Sequence, residues 1–513
     1  MKPTLKHVIH VVCASLLLTA CSTNPVTGKR ELSLMSEAAE LSMGKKMYLP
    51  LQQQSGGAYN LNPNLSAYVS GVGQRLAAVS HRPGLPYEFV VLNNSTPNAW
   101  ALPGGKIAIN RGLLLELEDE AALAAVLGHE IVHVTAKHSA RQQDNAMLMG
   151  LGVQLIGVGA RNNKYGQLIN QGANLGGAAL MSRYGRDDEL ESDFYGMQYM
   201  VDAGYNPEAA VDLQKTFVRL SASRQTDWLS GLFASHPPSQ QRVQANEARA
   251  LALNAGGVRN QTQHAIKQLV KDKPAYDHYE EGKKAYTDKN IDEASRLAKQ
   301  AIALQPKESL FHELLALSQQ QQKQPKTALK TFDKAITLNG RLFSHYLYRG
   351  LLLKDMNRPS EAEQDLLHSV KLLPTSIAQQ TLGELARSAG NTAQAIQYFK
   401  TVASSQNGYQ QAAQIALAEL NLPTEPSKYF RTELTPAKNG EILVRIQNVS
   451  PIPVASTSAN LVLIGTNGAQ VAQKLRFGKL DPNAISAYQR TGVYINSDEG
   501  TANYRLQIDK ASL

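Results

Sequence analysis

His129-Glu130-Ile131-Val132-His133 sets two imidazoles one helical turn apart with a carboxylate between them. On an α-helix, residues four apart lie one above the other, so both rings can reach a single cation while Glu130, about 100° round the axis, reaches a bound water instead. That is most of a hydrolytic zinc site, and it predicts one Zn2+ per chain with His129 and His133 as ligands and Glu130 as general base. A catalytic zinc keeps three protein ligands and one open position, so a third ligand has to come from a second element. Asp187-Asp188-Glu189-Leu190-Glu191-Ser192-Asp193-Phe194-Tyr195-Gly196 is the best source. On a helix Glu189 and Asp193 share a face and Glu191 points elsewhere. Glu189 can then bind the metal while Asp193 accepts a hydrogen bond from the second ring nitrogen of a ligand histidine, fixing its tautomer.

The element that must carry the motif starts at Asp119, which can cap Glu120-Ala121-Ala122-Leu123-Ala124-Ala125-Val126-Leu127, a run of strong helix formers with acid in its first turn. The pattern predicts a helix through about Arg141, and Val126, Leu127, Ile131, Val132 and Val134 predict that it is buried. His138, five residues past His133, projects about 140° off the metal face and reads as a cation at a helix end rather than a ligand.

These residues resemble a family of membrane-associated zinc metallopeptidases that includes the prenyl-protein (CAAX) processing protease and the HtpX-like heat-shock proteases. The likeness rests on His129 to His133, on Glu189-x-x-x-Asp193 preceded by Ser182-Arg183, and on Asn98-Ala99-Trp100-Ala101-Leu102-Pro103-Gly104-Gly105; it covers roughly residues 24 to 250. It implies a gluzincin-type α+β protease domain with His129, His133 and Glu189 on zinc and Glu130 as base. Gly104-Gly105 followed by Lys106-Ile107-Ala108-Ile109-Asn110-Arg111-Gly112 reads as a turn into a short alternating strand. In such peptidases a strand of this kind forms the edge against which extended substrate pairs, so Gly105, Lys106, Ile107 and Ala108 are expected to bind substrate.

Ser235-His236-Pro237-Pro238-Ser239-Gln240-Gln241-Arg242 also bears on the chemistry, because His-Pro followed by Arg recurs in the periplasmic branch of the resembled family. His236 either donates to the tetrahedral oxyanion or occupies the open zinc position and holds the enzyme latent. A packing role beside a helix that Ser235 and the prolines start is the structural alternative. Met147 to Ala160 is apolar and glycine-rich but too short to span a bilayer, which takes about 20 residues, so it reads as a core helix or a cover over the cleft.

At the N-terminus Lys2 and Lys6 precede an apolar stretch from Val8 through Leu18 and then Leu18-Thr19-Ala20-Cys21, a secretory signal ending in a lipobox-like sequence. Cys21 is expected to carry lipid, and Ser22 after it resembles lipoproteins sorted to the outer membrane of Gram-negative bacteria. Cys13 leaves with the signal, so the mature chain has no disulfide and depends on packing. The formal charge of +9 loses two lysines and no acid with residues 1–20, leaving +7. This mild basicity has no clustered tract for nucleic acid.

The 513 residues divide by composition into a signal (1–20), a linker (21–36), a zinc metalloprotease domain (37–265), tetratricopeptide repeats (274–420) and a β-sandwich (425–513). The repeats are marked every 34 or 33 residues by Gly282, Ala316, Gly350 and Gly383, by Ala294, Ala328, Ala362 and Ala395, by Ala298, Phe332, Leu366 and Phe399, and by Ala301, Ala335, Ser369 and Val402. Short alternating stretches such as Glu441 to Asn448 and Ala459 to Ile464 then predict strands. The fold class is therefore multidomain and mainly α, with an α-solenoid and a small C-terminal β-sandwich.

A protease joined to such repeats and a secretory signal resembles the periplasmic branch of the family. The resemblance implies a zinc endopeptidase acting on misfolded or stalled outer-membrane proteins and meeting their assembly machinery, with the repeats recruiting clients; the lipobox, which like the C-terminal β domain departs from that branch, adds the lipid anchor. The rival reading is a chaperone-like scaffold whose metal site is latent or structural. A prenyl-protein processing enzyme does not fit, because those resemble polytopic membrane proteins and no hydrophobic span follows the signal.

Overall fold

In the computed structural model the described residues are 21–32, 34–144, 184–222, 235–260, 263–405, 408–465, 468–495 and 503–513. The signal sequence, the Met147 to Ala160 stretch and Ser182-Arg183 lie outside them. The chain forms two compact units, one built from residues up to Arg358 with Lys371–Leu373, the other from Pro359–Val370 and Pro374–Leu513.

In the first unit, residues 21–36 are not the plain linker the sequence suggests. β1 (Cys21–Thr23) and β2 (Arg30–Leu32) pair antiparallel, and Asn24 holds the turn between them by accepting from the backbone N–H of Val26 at 2.8 Å. α1 (Glu37–Gln54), capped by Ser36, and α2 (Pro63–Ala78) follow. The sheet consists of β3 (Glu88–Leu92), β4 (Ala99–Leu102) and β5 (Lys106–Asn110) in the order β3-β5-β4. Gly104 and Gly105 make the turn into β5 at φ 78° and 83°, a region open to glycine at little cost.

The sheet order corrects one expectation. Gly105, Lys106, Ile107 and Ala108 do not form an edge: β5 is the central strand, parallel to β3 on one side and antiparallel to β4 on the other, and all five of its residues are buried. Both rows of its backbone groups face other strands, so no peptide can add to it. The two outer strands are β3, which Ala58 bridges at Leu92, and β4.

α3 (Arg111–Leu114), α4 (Glu120–Thr135), α5 (Arg186–Asp202), α6 (Glu208–Ala222) and α7 (Gln240–Leu253) complete the helices around the sheet. Every residue of α4 is buried, its histidines and acids included, and Asp119 caps it by accepting from the Ala122 N–H at 2.7 Å.

The expected break between a protease ending at 265 and repeats starting at 274 is absent from the packing. α8 (Gln263–Thr287) runs through Pro274 as one helix, and its Ile266, Leu269, Ala275, Tyr276 and Tyr279 share one core with α4 and the sheet. α9 (Ile291–Leu304), α10 (Ser309–Gln321), α11 (Pro325–Leu338) and α12 (Phe343–Asp355) continue the unit, and Leu310, Phe311, Leu314 and Leu315 of α10 join the same core. Glu308 accepts from Asn93 at 3.0 Å, and the Arg111 guanidinium lies 3.3 Å from the Tyr276 ring centroid.

The second unit holds most of α13 (Pro359–Leu372), then α14 (Ser376–Ser388), α15 (Thr392–Ala403) and α16 (Gln410–Asn421), followed by β6 (Phe430–Pro436), β7 (Glu441–Asn448), β8 (Ser456–Gly465), β9 (Gly468–Phe477), β10 (Gln489–Tyr494) and β11 (Tyr504–Ser512). The repeat register is visible throughout: Ala294, Ala298, Ala328, Phe332, Ala362, Leu366, Ala395 and Phe399 are all fully buried. The loops after α8, α10, α12 and α14 each carry one left-handed residue in the same register, Lys289, Lys323, Asn357 and Gly390. Two three-stranded sheets, β10-β7-β6 and β11-β8-β9, bury Val444, Ile446, Leu461, Leu475 and Ile508 in a common core, giving a β-sandwich. Among the described residues no helix is long and apolar enough to cross a membrane.

Candidate metal centre

His129, His133, Glu189 and His236 converge so that one ligand atom from each lies within 4.8 Å of all the others, and all four side chains are buried. α4 supplies the two histidines one turn apart, α5 supplies Glu189, and the segment before α7 supplies His236. Helix α7 begins not at Ser235 but after Ser239, which accepts from the Arg242 N–H at 3.2 Å, so Pro237 and Pro238 lie ahead of it and His236 is directed inward.

The distances suit a tetrahedral cation. His133 Nε2 lies 3.0 Å from His129 Nε2, and each is 3.5 Å from an oxygen of Glu189. His236 Nδ1 is 3.3 Å from His129 Nε2 and 2.9 Å from Glu189 Oε1. Zinc bonds of about 2.0–2.2 Å in a tetrahedron put donor atoms roughly 3.3–3.6 Å apart, close to these spacings. Three imidazole nitrogens and a carboxylate oxygen are also the donors that zinc takes.

Electrostatics point the same way. Burial alone would lower the His129 pKa, but Glu189 and Asp193 beside it outweigh burial and push it up to about 9. Glu189 is held well below the usual carboxylate range, burial opposing and His236 and His129 prevailing. His133 goes the other way, well below 6.5, first because it is buried and then because His129 and His138 crowd it. The centre thus asks for positive charge while leaving a neutral imidazole lone pair to bind it. Arg242 Nη1 lies 2.7 Å from Glu189 Oε2 as an ion pair but outside hydrogen-bonding geometry, so this buried oxygen keeps a lone pair unused.

Asp193 stands where the sequence reading puts it, with Oδ1 2.9 Å from His129 Nδ1. That contact holds the proton on Nδ1 and turns the Nε2 lone pair toward the centre. Glu130 is 2 % exposed; its Oε1 is 3.4 Å from His236 Nε2 and its Oε2 has no hydrogen-bond partner among the described residues. Burial raises its pKa, against the lowering effect of His236 and His129.

Other residues of the centre were not assigned from sequence. Arg242, 4 % exposed, grips Asp193 with Nε and Nη2 at 2.7 Å each. Tyr184 stacks on the His133 ring with centroids 3.8 Å apart and shares a 2.8 Å hydrogen bond with Ser139. His138 lies 2.8 Å from His133, Nδ1 to Nδ1, where helical projection had turned it away. The projection fails because α4 stops at Thr135 and Lys137 takes φ 58°, so the chain swings back before His138. Lys106 to Ala108 lie outside the cluster, and the side chain of Cys21 is not among those described.

The approach of α4 and α5 rests on two glycines. A Cβ on Gly196 would stand 3.0 Å from the His129 backbone nitrogen, and one on Gly128 would stand 3.1 Å from the Gly196 carbonyl oxygen. Backbone atoms on both sides have little room to yield, so Gly196→Ala should destabilise the unit by about 1–3 kcal/mol. Because the same shift carries Glu189 and Asp193 away from His129, zinc affinity should fall with the melting temperature. Unchanged affinity in a zinc titration of Gly196→Ala would contradict this role for the helix contact.

Residues 63–250 match the model of peptidase family M48. Over 226 residues the chain is 32% identical to the mitochondrial metalloendopeptidase OMA1 of Schizosaccharomyces pombe, covering 44% of this chain and 64% of that protein. Over 249 residues it is 28% identical to the beta-barrel assembly-enhancing protease of Escherichia coli strain K12, covering 46% and 50%. The chain therefore spans about half of the latter relative's length and under two thirds of the former's. A solved structure titled for the functional characterization of Pseudomonas aeruginosa pilF is similar over 31% of this chain and 72% of that one, at 24% identity and TM-score 0.29.

Proposed function

We propose that this chain is a zinc-dependent endopeptidase, anchored by lipid at Cys21 to the periplasmic face of a Gram-negative outer membrane, that degrades misfolded or stalled outer-membrane proteins. The observation that carries the reading is the convergence of His129, His133 and Glu189 beside a buried carboxylate, Glu130, one oxygen of which has no hydrogen-bond partner among the described residues. His129, His133 and Glu189 would hold the metal. A bound zinc supplies an activated water and an electrophile for the scissile carbonyl. Glu130 takes a proton from the attacking water on that oxygen and returns it to the leaving amine. Asp193 and Arg242 hold His129 and Glu189 in place. The outer side of β4 is the better candidate for pairing with substrate, since β5 is enclosed and Ala58 bridges to β3 at Leu92.

The address rests on Leu18-Thr19-Ala20-Cys21 with Ser22 following, and the client class on the likeness to the assembly-enhancing protease. The repeats are assigned the recruitment of clients. Incubating the full chain with an unfolded and a folded β-barrel protein tests this: the unfolded one should be cut, and a zinc chelator should stop cleavage. Equal cleavage of both, or of neither, counts against it.

His236 favours a latent resting state within the same reading, because its Nδ1 lies 3.3 Å from His129 Nε2 and 2.9 Å from Glu189 Oε1, among the atoms that would hold the metal. If the open form is about a tenth populated or less, removing the latch raises apparent kcat/KM by about tenfold or more. His236→Ala should therefore speed hydrolysis of a short unstructured peptide. A comparable loss of rate would instead assign His236 to stabilising the transition state.

A further inference from the structure

Metal-ligating histidines ordinarily give their second ring N–H to a carboxylate, a backbone carbonyl or water. His129 follows that rule through Asp193. His133 does not, because its Nδ1 faces the Nδ1 of a second imidazole, His138, at 2.8 Å. His138 is fully buried, and its Nε2 lies 3.3 Å from Glu191 Oε1 and 3.8 Å from Asp188 Oδ1. Ser192 Oγ approaches His138 Nδ1 less closely, at 3.5 Å.

The hydrogen-bond arithmetic of this row has one neutral solution. A carboxylate only accepts, so Glu191 takes the proton of His138 Nε2. His138 Nδ1 is then a lone pair, and it accepts from His133 Nδ1–H. The remaining lone pair, on His133 Nε2, is the one aimed at the metal centre. The reverse pair of tautomers would face the His138 Nε2 lone pair with the Glu191 carboxylate at 3.3 Å, and the two mixed pairs would set two N–H groups or two lone pairs against each other at 2.8 Å.

We propose that Glu191 and His138 form a carboxylate–imidazole–imidazole relay that positions His133 and fixes its tautomer for metal binding. This rests on the reading of His133 as a zinc ligand. Both are positioning residues, touching neither metal nor substrate. The β1–β2 hairpin meets the same flank, since Arg141 pairs with both Glu31 of β2 and Asp188 of α5. Asn24 of the β1–β2 turn reaches both oxygens of Glu31 at 3.2 Å, and Glu31 accepts from Arg141 at 2.7 Å. The hairpin next to Cys21 thus braces one flank of the centre.

The test uses the full-length chain, stripped and reloaded with zinc, and reads the zinc dissociation constant by competition with a chromophoric chelator. The absorption spectrum of the cobalt-substituted protein is the second readout. Loss of an outer hydrogen bond of this kind costs about 10–100-fold in metal affinity. His138→Phe and Glu191→Leu should each show that loss and an altered cobalt spectrum, whereas Glu191→Gln, which keeps an accepting oxygen, should recover most of it. Glu191 is partly exposed, so its variants carry the test if His138→Phe does not fold. A parent that binds zinc and folded variants that bind it equally well, with the parent's cobalt spectrum, overturn the relay alone. A parent that binds no zinc overturns the metal reading and the relay with it.

Discussion

Glu130→Gln should lower kcat for cleavage of an unfolded protein by about 10²–10⁴-fold, the usual contribution of a positioned general base, while zinc content and melting temperature stay at parent values. The substitution keeps the shape of a side chain that is 2 % exposed, and it keeps an oxygen toward His236 Nε2, 3.4 Å away. It removes only the capacity to take up a proton. Burial raises the Glu130 pKa above the ordinary carboxylate value, which brings the group nearer to the proton it must take up and return. An amide has no such capacity at any pH. Parent-like turnover by a zinc-loaded Glu130→Gln protein would remove Glu130 from the chemistry and leave the scaffold reading in possession.

Arg242→Met should cost the metal-free protein about 3–5 kcal/mol in urea denaturation, because it leaves two buried carboxylates with His129 where the guanidinium had also served both. Arg242 lies 2.7 Å from Glu189 Oε2 and makes two 2.7 Å bonds to Asp193. It also reaches the Pro237 carbonyl at 3.3 Å, which links it to the segment bearing His236. Zinc should recover part of the loss, since the metal supplies positive charge to Glu189, though not to Asp193. Arg242→Lys should rescue less than full stability, because an ammonium cannot hold the planar two-point contact with Asp193. A change below about 1 kcal/mol, as for an exposed ion pair, would show that these carboxylates do not depend on the guanidinium.

What could be read from the residues depended on whether the geometry was local. His129 with His133, and Glu189 with Asp193, are both four-residue spacings on one helix, and a single periodicity turns them into shared faces. The repeats were legible for a similar reason: Ala294, Ala328, Ala362 and Ala395 keep a register that a packed helical pair demands. Lys106 to Ala108 were misplaced because alternation says which side chains are inward and not which strands lie alongside. The partners of β5 come from residues 88–92 and 99–102, and only the assembled sheet reveals that it is enclosed. His138 was misdirected by one left-handed residue, Lys137, which periodicity cannot anticipate because lysine carries no signal for that conformation. Glu191 does point away from Glu189, as helical spacing requires, but what it points to is His138, brought round by that break. Arg242 was visible in the sequence only as the end of a His-Pro-containing segment. Its grip on two acids of α5 needs the contact between helices remote in sequence.

The most direct test of the central claim is the zinc content of the purified, dialysed full-length chain beside that of His133→Ala. We predict one zinc per parent chain, bound through nitrogen and oxygen at about 2.0–2.2 Å in X-ray absorption, and little or none in the variant. A parent that retains no zinc, or a variant that retains as much as the parent, would contradict the assignment of His129, His133 and Glu189 to a single cation.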